Sequence, residues 1–211
     1  AVGTGQAFLT DGLSLSHPDE GVRARAIERV EAHVRLAARF DAAVIIGLIR
    51  GRVMDERRAA VARLAAAFDP LLRSAERERV WLLIEPINRY ETDLLNTLDE
   101  ALDFVLELGA PRVGLLADTF HMNIEEVSFD RALRAAGARL RHVHTADSNR
   151  HAPGWGHLDF AAVLATLRAM RYAGWLGAEI LPRPDPLAAA QQTITHLRSL
   201  LDTSPIKEGM A

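Results

Sequence analysis

Short apolar runs alternate along the chain with longer stretches in which apolar residues recur every three or four positions. Short runs that are apolar throughout are typical of strands buried on both faces of a parallel sheet. The longer stretches have the spacing of amphipathic helices. The predicted strands cover residues 2–8, 43–49, 80–84, 113–117, 140–144 and 176–181.

Helix boundaries and linkers agree with this pattern. Thr97 and Glu100 form a capping box at the start of one predicted helix, and Gly109 is expected to end it. Strands and helices in regular alternation predict a parallel α/β fold. No stretch rich in Gly, Ser or Pro divides the chain, so we predict one domain over residues 1–202 and a flexible tail over residues 203–211.

A parallel α/β fold can be a closed (β/α)8 barrel or an open doubly wound sheet. The polar residues at strand ends distinguish between these two architectures. Glu85, Asp118, His144 and Glu179 each lie at the carboxyl end of a different predicted strand. A (β/α)8 TIM barrel collects its active site at that rim, whereas an open sheet places its site at one switch point, usually beside a glycine-rich turn. The chain has no such glycine motif. The sequence therefore predicts a barrel, of which six β–α units are present.

The same four residues predict a metal site. If alternate residues of each strand face the barrel interior, three carboxylates and one imidazole converge at the top layer. Carboxylates at such short range take up protons unless a cation compensates their charge. Three oxygen donors and one nitrogen donor suit Mn²⁺, Mg²⁺ or Co²⁺.

Other polar residues near the predicted rim have simpler interpretations. His142 lies one layer deeper than His144, where it is expected to support the core or a metal ligand. Leu140 is expected to share the inner face of its strand with both histidines. Arg50 and Arg52 follow the second predicted strand, where they either line the rim or lie in a solvated loop, and we expect the solvated loop.

Composition narrows the class of protein further. The 211 residues include no cysteine, 25 basic and 28 acidic side chains, and a formal net charge of −3. Disulfide frameworks, zinc ribbons and thiolate nucleophiles are excluded, and nucleic acid is disfavoured as a partner. There is no apolar run long enough for a membrane helix and no signal peptide, which predicts a cytoplasmic protein with no membrane partner.

Two segments resemble a known family. Residues 85–92 read EPINRYET and residues 118–126 read DTFHMNIEE. These segments, with residues 144–150 and the glycine and glutamate near residues 174–179, resemble the D-tagatose 3-epimerase and D-psicose (allulose) 3-epimerase family. That family belongs to the xylose isomerase-like TIM-barrel superfamily. Its members carry about two further β–α units before the first strand of this chain, as an eight-unit barrel requires.

The resemblance implies a function for seven residues. It implies that Glu85, Asp118, His144 and Glu179 bind a divalent metal, most often Mn²⁺ with Co²⁺ or Mg²⁺ as substitutes, and that Glu85 and Glu179 also form the acid/base pair. It implies substrate contacts for the residues that match Glu91, His121 and Arg150. The implied reaction is reversible C3 epimerisation of a ketose through a metal-stabilised enediolate, in a homodimer or homotetramer.

Three alternatives remain open at this point. An aldose–ketose or hydroxypyruvate isomerase of the same superfamily would need only one base at a similar site. A DNA-repair endonuclease of the superfamily would need a trinuclear zinc site with more histidines and a basic rim. An inactive sugar-binding module would keep the fold without the acid/base chemistry.

Overall fold

The computed structural model describes residues 1–202, and the predicted tail at 203–211 lies outside them. Its centre is one parallel sheet in which strand order follows chain order, so that each strand pairs with the next. This order, with helices between successive strands, is the pattern of a (β/α)8 barrel and confirms the predicted fold class, with six strands present. The strands are β1 (Val2–Gly3), β2 (Val44–Ile46), β3 (Leu82–Ile84), β4 (Val113–Asp118), β5 (Leu140–His144) and β6 (Trp175–Gly177).

Helices follow every strand. They are α1 (Gly5–Asp11), α2 (Glu20–Ala38), α3 (Arg57–Glu78), α4 (Leu98–Leu108), α5 (Thr119–Glu125), α6 (Phe129–Ala136), α7 (Phe160–Ala169) and α8 (Pro186–Leu201), with 3-10 turns at Leu48–Arg50 and Gly137–Arg139. None of the helices within residues 1–202 combines the length and the apolar character needed to cross a bilayer.

The predicted boundaries of α4 are confirmed. The Thr97 hydroxyl accepts a hydrogen bond from the backbone N–H of Glu100 at 3.1 Å, and Gly109 caps the other end. The Glu100 carboxylate accepts from the N–H of Asn96 at 2.6 Å instead of from Thr97, so the capping box closes one residue earlier than its usual form.

Apolar side chains pack on both faces of the sheet. The main core lies between the sheet and the helices, where Phe68 of α3 meets Phe104 of α4 edge-on at 5.5 Å between ring centroids. The concave inner face carries a smaller cluster of Ile45, Leu83 and Leu116. Burial on both faces explains why the strands are apolar throughout.

Four predicted strands are shorter in the structure, and the run at residues 80–84 pairs only over Leu82–Ile84. The run at residues 2–8 pairs only at Val2–Gly3, because the chain turns at Thr4, whose hydroxyl donates to the carbonyl of Ile45 at 2.6 Å, and then enters α1. The run at 43–49 pairs over Val44–Ile46 before the 3-10 turn. The run at 176–181 is replaced by Trp175–Gly177, so Glu179 lies two residues beyond its strand.

A bulge in β5 corrects the prediction for Leu140. The register with β4 shifts so that Leu140 pairs with Leu115 while His142 pairs with Leu116. Leu140 therefore packs in the main core, and the extra residue, Arg141, places its guanidinium 4.2 Å from the ring centroid of Trp81. The bulge also brings His142 and His144 to the inner face beside Leu116 and Asp118.

Candidate metal centre and substrate pocket

Four side chains meet at the carboxyl rim of the sheet. They are the residues predicted from strand ends, namely Glu85 after β3, Asp118 at the end of β4, His144 at the end of β5 and Glu179 beyond β6, and one ligand atom from each lies within 4.8 Å of all the others. His144 Nδ1 is 3.5 Å from Glu85 Oε1, 3.6 Å from Asp118 Oδ2 and 3.5 Å from Glu179 Oε2. Glu85, Asp118 and His144 are buried, whereas the Glu179 side chain is 51% exposed.

Local backbone structure orients Asp118. This residue ends β4 and is also the N-cap of α5, where its Oδ1 accepts from the N–H of Phe120 at 2.8 Å and from that of His121 at 3.4 Å. Because the cap occupies Oδ1, Oδ2 remains directed at His144.

Glu85 is held from two sides. The guanidinium of Arg50 donates to the backbone carbonyl of Glu85 at 2.6 Å. Across the pocket, Gly47 leaves the space that the carboxylate occupies, since a Cβ at Gly47 would lie 2.7 Å from Glu85 Oε2.

The donor set fits a divalent cation. Within residues 1–202, the buried side-chain nitrogen and oxygen atoms without a hydrogen-bond partner are Glu85 Oε1, Asp118 Oδ2 and His144 Nδ1, all directed into this cluster. A buried polar atom without a partner costs about 1–3 kcal/mol, so three together at one point favour the binding of a cation. Donors about 2.1 Å from a shared metal lie about 3.0–3.4 Å from one another, close to the observed separations.

The charges of the cluster shift its pKa values in opposite directions. Burial raises the pKa of Glu85, while His144 and Arg150 lower the pKa of Glu179. Burial alone would lower the pKa of His144, but the neighbouring carboxylates outweigh it and raise that pKa to about 11. The cluster therefore attracts a cation strongly, and a metal and a proton compete for the imidazole.

The three predicted substrate contacts line a small cavity beside the cluster. Glu91, His121 and Arg150 border a space of about 90 Å³ that Glu85 and Glu179 also line. Arg150 donates to Glu179 Oε2 at 2.9 Å, and its Nη1 is 3.2 Å from Nε2 of the buried His121.

The expectation that Arg50 lies in a solvated loop is wrong. The 3-10 turn after β2 directs its side chain inward, and the wholly buried guanidinium donates to backbone carbonyls. Burial lowers its pKa to about 10. No sequence pattern around Arg50 indicates this role, because two of its acceptors lie more than 40 positions away. The acceptors are the carbonyls of Gly47, Glu85, Leu94 and Leu95.

His142 occupies the deeper layer predicted for it. Its ring stands edge-on to that of His144 with 5.1 Å between centroids, and burial lowers its pKa to about 4. His142 therefore contacts His144 without being one of the four clustered residues.

Comparison with known proteins places this chain in a family. The chain matches the xylose isomerase-like TIM barrel family over residues 4–200 and therefore belongs to it.

Its relatives include sugar epimerases. The chain is 45% identical over 113 residues to the D-psicose 3-epimerase of Enterocloster bolteae, a match that covers 54% of this chain and 38% of that protein. It is 33% identical over 169 residues to the L-ribulose 3-epimerase of Mesorhizobium japonicum, covering 78% of this chain and 57% of that protein. The predicted resemblance is thus confirmed, and the chain spans less than two thirds of the length of these relatives.

A solved structure agrees with this assignment. The 3-keto-D-glucoside 4-epimerase of E. coli superposes with a TM-score of 0.83 at 26% identity, covering 89% of this chain and 75% of that one.

Proposed function

We propose that this chain carries the active site of a metal-dependent isomerase that reversibly epimerises a ketose at C3. The cluster of three carboxylates and one imidazole is the observation that carries the proposal, since its unpartnered buried atoms need a cation. The 3-epimerase relatives supply the substrate class, a small sugar.

Glu85, Asp118, His144 and Glu179 would hold the metal. Mn²⁺ is the proposed ion, with Co²⁺ or Mg²⁺ as substitutes, because hard oxygen donors with one imidazole suit these ions. When bound, the cation supplies Lewis-acid polarisation of a sugar carbonyl and its neighbouring hydroxyl.

Glu85 and Glu179 are the proposed acid/base pair. They follow β3 and β6, which are separated by two strands of the sheet, so their carboxylates approach a substrate from different directions. Epimerisation needs this arrangement, because a proton leaves one face of the carbon and another returns to the opposite face. The two carboxylates exchange the roles of base and acid between the forward and reverse directions.

Glu91, His121 and Arg150 are the proposed substrate contacts. Their side chains supply a carboxylate, a ring nitrogen and a guanidinium to the cavity beside the acid/base pair. Arg150 also fixes Glu179 through the 2.9 Å hydrogen bond, which restricts the angle from which Glu179 reaches the substrate.

A second candidate reaction is epimerisation at C4. The similarity to the E. coli 4-epimerase favours it, since a related barrel carries out the same inversion at the neighbouring carbon. The same site could also serve an aldose–ketose isomerase, which moves a proton between neighbouring carbons with one base. The endonuclease alternative is disfavoured because a single histidine joins the cluster within the described residues.

One experiment separates these reactions. The protein is loaded with Mn²⁺ and incubated in D₂O with a panel of 2-ketoses, their phosphates and 3-keto-glycosides, in which C4 lies next to the carbonyl. The sugars are then examined by NMR. We expect deuterium at C3 of at least one ketose. Incorporation only at C4, or transfer between C1 and C2, would replace the proposal with the second or third reaction.

A substitution tests the alternative that the protein is a catalytically inactive module. Glu179→Gln should abolish exchange while leaving the fold intact, because its side chain is half exposed. Equal exchange in the variant and the wild type would show that this carboxylate is not part of an acid/base pair. Cytoplasmic location and a homodimer or homotetramer remain predictions, the latter measurable by light scattering.

A further inference from the structure

Asn88 is a buried residue of the loop after β3 that the proposed metal site does not use. Its Oδ1 accepts from the backbone N–H of Tyr90 at 3.0 Å. Its Nδ2 lies 2.9 Å from Glu91 Oε1 and 2.7 Å from His121 Nδ1. All the hydrogen-bonding capacity of the amide nitrogen is therefore directed at two of the proposed substrate contacts.

Contacts independent of His121 determine the orientation of this amide. Rotating it by half a turn would place the NH₂ group against the N–H of Tyr90 and the oxygen against the Glu91 carboxylate. Both contacts would be repulsive. The group that Asn88 presents to His121 is therefore an N–H donor.

This donor decides which nitrogen of His121 carries the proton. One amide hydrogen of Asn88 goes to Glu91 and the other to His121 Nδ1, and the backbone N–H of Asn88 points at the same Nδ1 at 3.4 Å. A nitrogen that accepts a hydrogen bond has no proton of its own, so the proton of the neutral ring is on Nε2.

The opposite side of the ring then faces a second donor. His121 Nε2 lies 3.2 Å from Nη1 of Arg150, and with a proton on each nitrogen the two groups cannot hydrogen-bond to each other. Both border the cavity beside Glu179. The Arg150 N–H is directed at Nε2, so this contact is repulsive in the Nε2-protonated tautomer, and an oxygen that lies beside both nitrogens and accepts from each would relieve it.

We propose that Asn88 is a positioning residue that fixes His121 as the Nε2-protonated tautomer. His121 and Arg150 then form a pair of donors for one carbonyl or alkoxide oxygen of the substrate. Donors aimed at an oxygen where negative charge develops stabilise the transition state. The catalytic part of this inference rests on the proposed epimerase function, whereas the tautomer does not.

The test replaces the donor with an acceptor of the same shape. In Asn88→Asp, one carboxylate oxygen still accepts from Tyr90, while the other faces His121 Nδ1 and repels the Glu91 carboxylate, whose Oε1 lies 2.9 Å from Nδ2 of the wild-type residue. NMR of the full chain with ¹⁵N-labelled histidine, without substrate, should show His121 protonated at Nε2 in the wild type and at Nδ1 in the variant. With substrate, the kinetic measurement uses Asn88→Ala, which places no charge against Glu91. Its kcat should fall on the order of 10²-fold with little change in KM, as for loss of one transition-state donor.

Asn96→Asp is the matched control. Asn96 lies in the same loop, but its Nδ2 donates to the carbonyls of Ile87 at 2.7 Å and Thr92 at 2.8 Å and not to His121. This variant should keep the Nε2 tautomer even if the loop loosens. Should Asn88→Asp fold poorly, Asn88→Ala removes the donor instead, and the His121 ring should populate both tautomers.

The outcomes distinguish the proposed role of Asn88 from the proposed epimerase function. Protonation of His121 at Nδ1 in the wild type, or an equal tautomer change in the Asn96 and Asn88 variants, would overturn the role of Asn88. The expected tautomers together with no exchange on any sugar would support that role and refute the epimerase function.

Discussion

Replacing Gly47 with alanine tests whether metal binding needs the space beside the Glu85 carboxylate. A Cβ at residue 47 would lie 2.7 Å from Glu85 Oε2 and 3.2 Å from Ile87 Cδ1. A carbon and an oxygen that are not bonded need a separation of at least about 3.2 Å, so the carboxylate must move by about 0.5 Å or more. Glu85 would then leave the position from which Oε1 faces His144 at 3.5 Å.

The location of the clash determines how much the stability and the Mn²⁺ affinity should change. The atom that must move is the end of a flexible side chain, so the free energy of unfolding should fall by less than about 1 kcal/mol. Misorienting one ligand typically costs about 10–100-fold in metal affinity, or about 1.4–2.7 kcal/mol. Gly47→Ala should therefore weaken Mn²⁺ binding much more than it lowers stability.

Isothermal titration with Mn²⁺ and thermal unfolding of the metal-free chain measure the two effects separately. Gly3→Ala is the matched control, because a Cβ at residue 3 meets nothing within 4 Å although Gly3 lines the same cavity. If Gly47→Ala binds Mn²⁺ as tightly as Gly3→Ala, then the position of the Glu85 carboxylate does not determine metal affinity.

Three further predictions concern the support and charge of the site. Arg50→Met should lower the free energy of unfolding in urea by about 3–5 kcal/mol, because four buried carbonyls lose a donor at about 1–3 kcal/mol each, offset in part by removal of a buried charge. The exposed Arg52→Met should cost less than about 1 kcal/mol, and equal losses would contradict the role of Arg50. In the metal-free chain the pKa of His144 is raised from 6.5 to about 11, so its stabilising contribution is complete below about pH 6.5 and is lost as pH rises through about 11. Calorimetric melting temperatures should fall between about pH 7 and about pH 10 without metal and fall less with Mn²⁺, and a flat metal-free profile would refute this. Gly154→Ala places a Cβ 2.6 Å from His196 Nδ1 at a φ of +89°, so it should displace the loop that carries Arg150 and raise KM for the sugar more than it weakens Mn²⁺ binding. Steady-state kinetics and Mn²⁺ titration measure the two effects. Weaker Mn²⁺ binding with an unchanged KM would contradict the prediction.

Much of the fold and the four clustered residues could be predicted from the sequence. Strands buried on both faces are apolar throughout, so their polar ends stand out, as at Glu85 and Asp118. Parallel strands all end at the same rim, and therefore polar residues at successive strand ends must be neighbours in space. The order of residues along the chain contains this information without knowledge of any long-range contact.

The structure alone decided the features that depend on partners distant in sequence. Arg50 is buried because carbonyls 44 and 45 positions away accept its hydrogen bonds, and no local pattern distinguishes it from the exposed Arg52. The bulge at Arg141 depends on the register with β4, and the orientation of Asn88 toward His121 joins residues 33 positions apart. Hydrophobic alternation therefore determined which residues reach the rim, whereas packing between separate β–α units determined how their atoms are held there.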